Sequence, residues 1–236
     1  MPTFDAALAT DAFRRCILFR RLTDEDLQLC TARLVHRRFR RGEVVFHAGD
    51  PGESLHVIVS GAVRVELPSP GGDQPAILIV LRAGEFFGEL ALLDGEPRSA
   101  TVVAAEATET LVLERPRFQR LVDEIPSLRW SLLASITAEL RRVTGRIEAL
   151  LFLDLGGRLA AQIVEIARHD PAVSGRRRDV RIAWPYTQAE LAGMIGGSRE
   201  SVNRLLGDLA ARGLLRVERD SLYVPDLDLL AAEALG

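Results

Sequence analysis

The sequence predicts an α+β chain in three successive parts: a roll of short strands, one long helix, and a small helical module closed by a β-hairpin. Three observations carry this. Apolar residues alternate with a period of two from about Phe39 to Glu114, the spacing of half-buried strands. From Leu133 to Leu150 they recur in steps of three and four, which is a helix seam. After Tyr186, two short helical patterns are separated by Gly196-Gly197. The expected divisions are residues 1–125 for the roll and its N-terminal helices, 126–152 for the long helix and 153–236 for the last module.

Composition sets the frame. Of 236 residues, 47% are apolar and 27% charged, the balance of a folded, water-facing protein. No apolar run approaches the roughly 20 residues a membrane-spanning helix needs. The start, Met1-Pro2-Thr3-Phe4-Asp5, lacks the basic-then-apolar order of a signal peptide. A cytoplasmic protein with no membrane partner is expected. Cys16 and Cys30 are too few for a disulfide framework or a one-chain iron-sulfur site. All 30 basic residues are arginine and the formal charge is −3, which argues against general coating of nucleic acid but allows a local basic face.

Residues 5 to 36 carry helical spacing, and Thr23-Asp24-Glu25-Asp26 places acidic residues at a helix start. Two short helices fit there. The strand pattern follows as Val44/Phe46, Leu55/Val57/Val59, Val63/Val65/Leu67, Ile77/Ile79/Leu81 and Val112, punctuated by glycine turns. Between Pro68 and Pro75 the sequence reads as an exposed hairpin loop. Pro116 and Pro126 bracket a short helix and launch the long one.

Along that helix Leu133, Ile136, Leu140, Val143, Ile147 and Leu150 form an a/d stripe flanked by charged residues. A narrow stripe of this length fits a two-stranded coiled coil, and so a homodimer, better than packing on its own domain. A further helix from about Asp154 to Arg168 begins with Gly156-Gly157, a place for a hinge. A loop then carries Arg176-Arg177-Arg178 onward.

Thr187 followed by Glu190 is a capping box, and Ser198 starts a second helix whose apolar face is Val202, Leu205, Leu206 and Leu209. Arg199, Glu200, Asn203 and Arg204 lie on the opposite, polar face. Arginine can donate twice to guanine and glutamate can accept from cytosine. The competing reading is a solvated face with a Glu200 to Arg204 ion pair. Leu214 to Val217 and Ser221 to Val224 read as a hairpin wing, so the module is a winged helix-turn-helix.

The stretch from Gly84 to Thr101 contains Gly88-Glu89 and Arg98-Ser99. A glycine permits close backbone approach, amides at the start of a short helix favour an anion, and Arg98 supplies a fork for phosphate oxygens. Ser99 adds a hydroxyl. The competing reading is an Arg98 to Glu89 ion pair inside an empty roll.

Gly197-Ser198-Arg199-Glu200-Ser201-Val202-Asn203-Arg204 resembles the recognition helix of the cyclic-AMP receptor and fumarate-nitrate regulator family. The stretch from Gly84 to Thr101 is similar to that family's phosphate-binding cassette. The resemblance implies a cyclic-nucleotide-binding β-roll, a dimerisation helix and a DNA-binding module. It implies a nucleotide held by Gly88, Glu89, Arg98, Ser99 and Thr144, with Glu89 accepting from a ribose hydroxyl. It also implies that Arg199, Glu200 and Arg204 read a half-site similar to TGTGA, while Thr187, Ser198 and Ser201 contact phosphate. Double-stranded DNA and RNA polymerase are the implied partners, and the operator is a palindrome with half-sites roughly 34 Å apart. The chain departs from the pattern at Val143, which cannot hydrogen-bond a base where relatives responsive to cyclic AMP carry threonine. Cyclic AMP, cyclic GMP and no ligand all remain open, the last describing a regulator controlled by its expression level.

No metal, haem or iron-sulfur cluster is expected, because His36, His47, His56 and His169 make no ligand set. A cupin-type β-barrel enzyme is the alternative of another class. It needs two histidines one residue apart, whereas His47 and His56 are nine apart. A nucleotide-binding interaction module with no DNA role is at odds with the recognition helix.

Overall fold

The computed structural model describes residues 6–31, 34–68, 75–170, 173, 175–184 and 186–234. The chain divides into two compact units, one up to Leu140 and one from Arg141 on. The loop expected between Pro68 and Pro75 falls mostly outside the described residues.

The first unit opens with α1 (Ala6–Arg15) and α2 (Asp24–Thr31), the latter with Asp24, Glu25 and Asp26 in its first turn. Strands follow as β1 (Val35–Phe39), β2 (Val44–Phe46), β3 (Ser54–Ser60), β4 (Ala62–Leu67), β5 (Ala76–Arg82) and β6 (Phe86–Phe87). The short helix α3 (Glu89–Asp94) interrupts them before β7 (Thr101–Ala104) and β8 (Thr108–Glu114). Helix α4 (Arg115–Glu124), with Pro116 in its first turn, leads into α5 (Pro126–Phe152).

Among the described residues the strands pair as two four-stranded antiparallel sheets, in the orders β1-β8-β3-β6 and β2-β7-β4-β5. Strand β3 shows how alternation sorts the chain. Leu55 and Val57 pack into the cluster made with Phe13, Phe19, Leu27 and Phe118 from the helices, while Ile58 joins Val63, Phe87 and Val102 in a second cluster. Ser54 and His56 share the face of Ile58, four and two residues away.

Helical spacing was expected to continue to His36, but Val35–Phe39 forms an edge strand paired to β8, from Val35 opposite Val112 to Phe39 opposite Thr108. An exposed edge strand presents charged side chains to water, so Arg37 and Arg38 hide its alternation.

The second unit holds the remainder of α5, then α6 (Leu155–His169), β9 (Arg178–Ala183), α7 (Gln188–Ile195), α8 (Arg199–Ala211), β10 (Arg216–Val217), β11 (Ser221–Asp226) and α9 (Leu227–Glu233). Its core gathers Leu159, Ile163, Val180, Ile182, Leu191, Ile195, Val202, Leu206 and Leu222. The hairpin expected around Glu218-Arg219-Asp220 is present, with Val217 opposite Leu222. Strand β9 joins it on the other side of β11, so the wing belongs to a three-stranded sheet in the order β10-β11-β9. Arg178, read as part of a loop, is the first residue of β9 and pairs with Asp226.

Asp154 caps α6 by accepting from Gly157 N at 2.7 Å. The helix runs through both glycines. A Cβ on Gly157 would lie 2.9 Å from the Ala234 carbonyl oxygen, so this glycine admits the chain end of α9 rather than bending α6.

Candidate functional site

Two groups of side chains carry chemistry, one in each unit. In the first, β6 ends at Gly88, whose φ of +87 belongs to the left-handed region and turns the chain into α3. A Cβ at Gly88 would meet Arg98 Nη1 at 2.6 Å and the Ser54 carbonyl oxygen at 2.9 Å. Gly52 is equally constrained, since a Cβ there would come within 2.1 Å of Ala91 Cβ on α3. Arg115 fixes the same corner by donating to the carbonyl oxygens of Gly52 and Ala91.

Arg98 is 6% exposed. Its Nη1 donates to Gly88 O at 2.7 Å, and its Nη2 donates to Ser54 O at 2.8 Å and Ser54 Oγ at 3.1 Å. The guanidinium lies 4.0 Å over the ring of Phe46. Its Nε is buried with no hydrogen-bond partner among the described residues. Burial pushes the Arg98 pKa down, and the charge of Glu89 opposes that shift.

Glu89 occupies the first turn of α3. Burial pushes its carboxyl up, with its own backbone N–H and the charge of Arg98 pulling the other way. The two residues influence each other without an ion pair: the Arg98 hydrogen bonds go to carbonyl oxygens and a serine hydroxyl. The ion-pair reading of this pocket is therefore not realised. Ser99 is exposed next to Arg98. Thr144 lies on α5 in the second unit, exposed beside exposed Val143.

In the second unit the capping box of α7 is complete. Glu190 N donates to Thr187 Oγ1 at 3.2 Å, and Thr187 N donates back to Glu190 Oε2 at 2.8 Å. Gly196, at φ +71, closes the helix. Ser198 caps α8 by accepting from Ser201 N at 3.1 Å, and its hydroxyl also meets Ser201 Oγ at 3.1 Å. The hydroxyls of Thr187, Ser198 and Ser201 thus have intramolecular partners at the two helix starts.

Val202, Leu206 and Leu209 are buried beneath α8, and Arg199, Glu200, Asn203 and Arg204 are exposed above it. Among the described residues neither Arg199 nor Arg204 has an ion-pair or hydrogen-bond partner, so the expected alternative of a Glu200 to Arg204 bridge is absent. The carboxyl of Glu200 is held below its usual range, first by its own backbone N–H and then by Ser198. One contact escaped sequence reading: Gln188 Nε2 of α7 donates to Asn203 Oδ1 at 2.8 Å.

Among the described residues, no group of three or more His, Cys, Asp and Glu side chains is placed to hold a metal ion. Cys16 and Cys30 are buried, and burial pushes both thiols up to about 12. No helix in the described residues is long and apolar enough to cross a membrane.

Comparison with known proteins matches a domain model to part of each unit. A cyclic nucleotide-binding domain model matches residues 36–124, and a Crp-like helix-turn-helix domain model matches residues 157–233. The CRP-like cAMP-activated global transcriptional regulator of Mycobacterium tuberculosis is 30% identical over 220 residues, covering 93% of this chain and 97% of that protein. The Cyclic AMP receptor protein of Thermus thermophilus is 33% identical over 219 residues, covering 93% and 97%. The structure of FixK2 from Bradyrhizobium japonicum superposes with a TM-score of 0.74 at 22% identity, over 84% of this chain and 96% of that one, a likeness of fold. The chain belongs to the cyclic-AMP receptor and fumarate-nitrate regulator family of DNA-binding transcription regulators.

Proposed function

We propose that the chain acts in the cytoplasm as a homodimer that binds a TGTGA-like palindrome under the control of a cyclic nucleotide. The observation that carries the ligand half is the incomplete polar chemistry around Arg98. Among the described residues a buried guanidinium keeps an unpaired Nε–H, and Glu89 keeps a desolvated carboxyl with no ion-pair partner. A buried polar group without a partner is costly. A cyclic nucleotide complements both groups, with its phosphate at Arg98, Ser99 and the amides after Gly88, and a ribose hydroxyl on Glu89.

Thr144 is the contact proposed for the base, reached across the dimer. The names of the relatives make cyclic AMP the first candidate. Val143, beside Thr144, supports a second reading in which base recognition is lost and the protein binds its operator without a nucleotide. Calorimetry with cyclic AMP and cyclic GMP separates the two. Binding of either supports the first reading, and no heat with either at millimolar concentration overturns it.

For DNA, Arg199, Glu200 and Arg204 are the proposed base readers, since all three are exposed and neither arginine makes a hydrogen bond or ion pair among the described residues. The starts of α7 and α8, capped at Thr187 and Ser198 with Ser201 in the first turn, face phosphate. α5 is the proposed dimerisation helix. Leu133, Leu140, Val143, Ile147 and Leu150 of its stripe are exposed within one chain, as a seam awaiting a second copy requires. RNA polymerase is the proposed protein partner. Regulation is a population shift: the ligand acts to the extent that it binds the DNA-competent arrangement more tightly than the other.

A further inference from the structure

Behind Arg98 lies a strip of polar side chains, Ser54, His56 and Thr110. Ser54 and His56 are two apart on β3 and share its inner face. His56 is 6% exposed. Its ring stacks on Phe87 at 4.9 Å and 14°, and meets Phe46 edge-on at 6.1 Å. Its Nε2 lies 3.2 Å from Ser54 Oγ and its Nδ1 lies 3.2 Å from Thr110 Oγ1.

We infer that Ser54, His56 and Thr110 form a hydrogen-bonded support that orients the Arg98 guanidinium for an anionic ligand. Chemistry fixes the direction of the first bond, and the other two are assigned for a neutral ring with its proton on Nδ1. Arg98 can only donate, so Ser54 Oγ accepts from Nη2. In this assignment the serine proton goes to His56 Nε2, and Nδ1–H donates to Thr110 Oγ1. Each donor along such a chain polarises the next, and one tautomer is selected.

Neutrality of the ring is required, because an imidazolium would lose its acceptor and bring a second cation toward Arg98. Burial, aided by the charges of Arg98 and Arg37, holds the His56 pKa down at about 3. Phe46 completes the support, touching both the guanidinium and the imidazole. With Nη1 on Gly88 and Nη2 on Ser54, Nε–H is the guanidinium donor with no protein partner among the described residues. Ser54 and His56 are positioning residues, since they act through Arg98.

This inference rests on the nucleotide reading above. The test is calorimetry of the full-length protein with cyclic AMP and cyclic GMP, using wild type, Ser54→Ala, His56→Phe, the double variant and His56→Gln. Ser54→Ala keeps the backbone acceptor, and His56→Phe keeps the stacked ring. Each should weaken nucleotide binding about tenfold. The double variant should lose no more than about twofold beyond the weaker-binding single, because both act along one path. His56→Gln, which retains an acceptor and a donor, should recover part of the affinity. Wild-type affinity or tighter binding in the single variants, or losses that multiply in the double, would overturn the support while leaving the nucleotide reading intact. Wild type that binds neither nucleotide removes the reading and this inference with it.

Discussion

Gln188 Nε2 and Asn203 Oδ1 are 2.8 Å apart, so the first helix of the helix-turn-helix holds a side chain on the outer face of the second. With its oxygen turned to Gln188, the Asn203 amide presents N–H donors outward. Donors suit the acceptors of guanine and thymine, whereas the bidentate contact to adenine needs the amide oxygen as well. Gln188→Ala should therefore raise the tolerance for adenine at the base facing Asn203, with little change in affinity for random DNA. Selection from a randomised half-site measures this, and an unchanged base profile would count against the orienting role.

Arg199 is exposed and makes no hydrogen bond or ion pair among the described residues, so its removal costs the fold little. Arg199→Ala should weaken a TGTGA-like palindrome by about 1 to 3 kcal/mol per half-site, and random DNA far less. Anisotropy titrations against both duplexes at one salt concentration provide the comparison. Equal losses would assign Arg199 to phosphate rather than to a base.

The seam of α5 is best probed where it does not also serve its own domain. Ile136 is half-buried and packs against the first-unit core, whereas Leu140 is 66% exposed. Leu140→Glu should give monomers in sedimentation with the monomer fold retained by circular dichroism. A dimer that survives would place the interface elsewhere.

His56 also makes a statement about acid stability. Its pKa falls from 6.5 to about 3 on folding, so below pH 6.5 the unfolded chain binds a proton that the native chain refuses. Stability is then lost as pH falls through the window between those values, at up to about 1.4 kcal/mol per pH unit. His56→Phe removes this contribution, so its denaturation midpoint should depend less steeply on pH across the same window. Parallel profiles for variant and wild type would contradict a neutral buried imidazole.

Glu89 runs in the opposite sense. Burial raises its pKa, so the native state favours the protonated form and loses stability as pH rises from the ordinary carboxylate range. Glu89→Gln should raise the melting temperature of the ligand-free protein at pH 7, by an amount that shrinks toward acid pH, while weakening nucleotide binding. A variant less stable at pH 7 would show that the carboxylate is compensated.

Where side chains alternate or cap, the sequence was legible. Thr187 and Glu190 form the capping box read from their spacing, and the strands at Leu55, Val63 and Ile77 lie where their period placed them. Edge strands were harder, because arginines at 37, 38 and 178 face water on β1 and β9 and mask the pattern. The cassette residues were named from resemblance, but what holds Arg98 was not. His56 reaches Thr110, 54 positions away, and no local signal marks a contact that only strand pairing creates. The same holds for Gln188 and Asn203, whose bond depends on how two helices pack.

Control of DNA binding by a nucleotide is measured by the affinity of the full-length protein for a TGTGA-like palindromic duplex, titrated with and without saturating cyclic AMP or cyclic GMP at fixed salt. At least one nucleotide should tighten palindrome binding by tenfold or more, a coupling of about 1.4 kcal/mol, and Arg98→Ala should abolish the gain while leaving ligand-free binding in place. Equal affinity with and without either nucleotide would contradict such control.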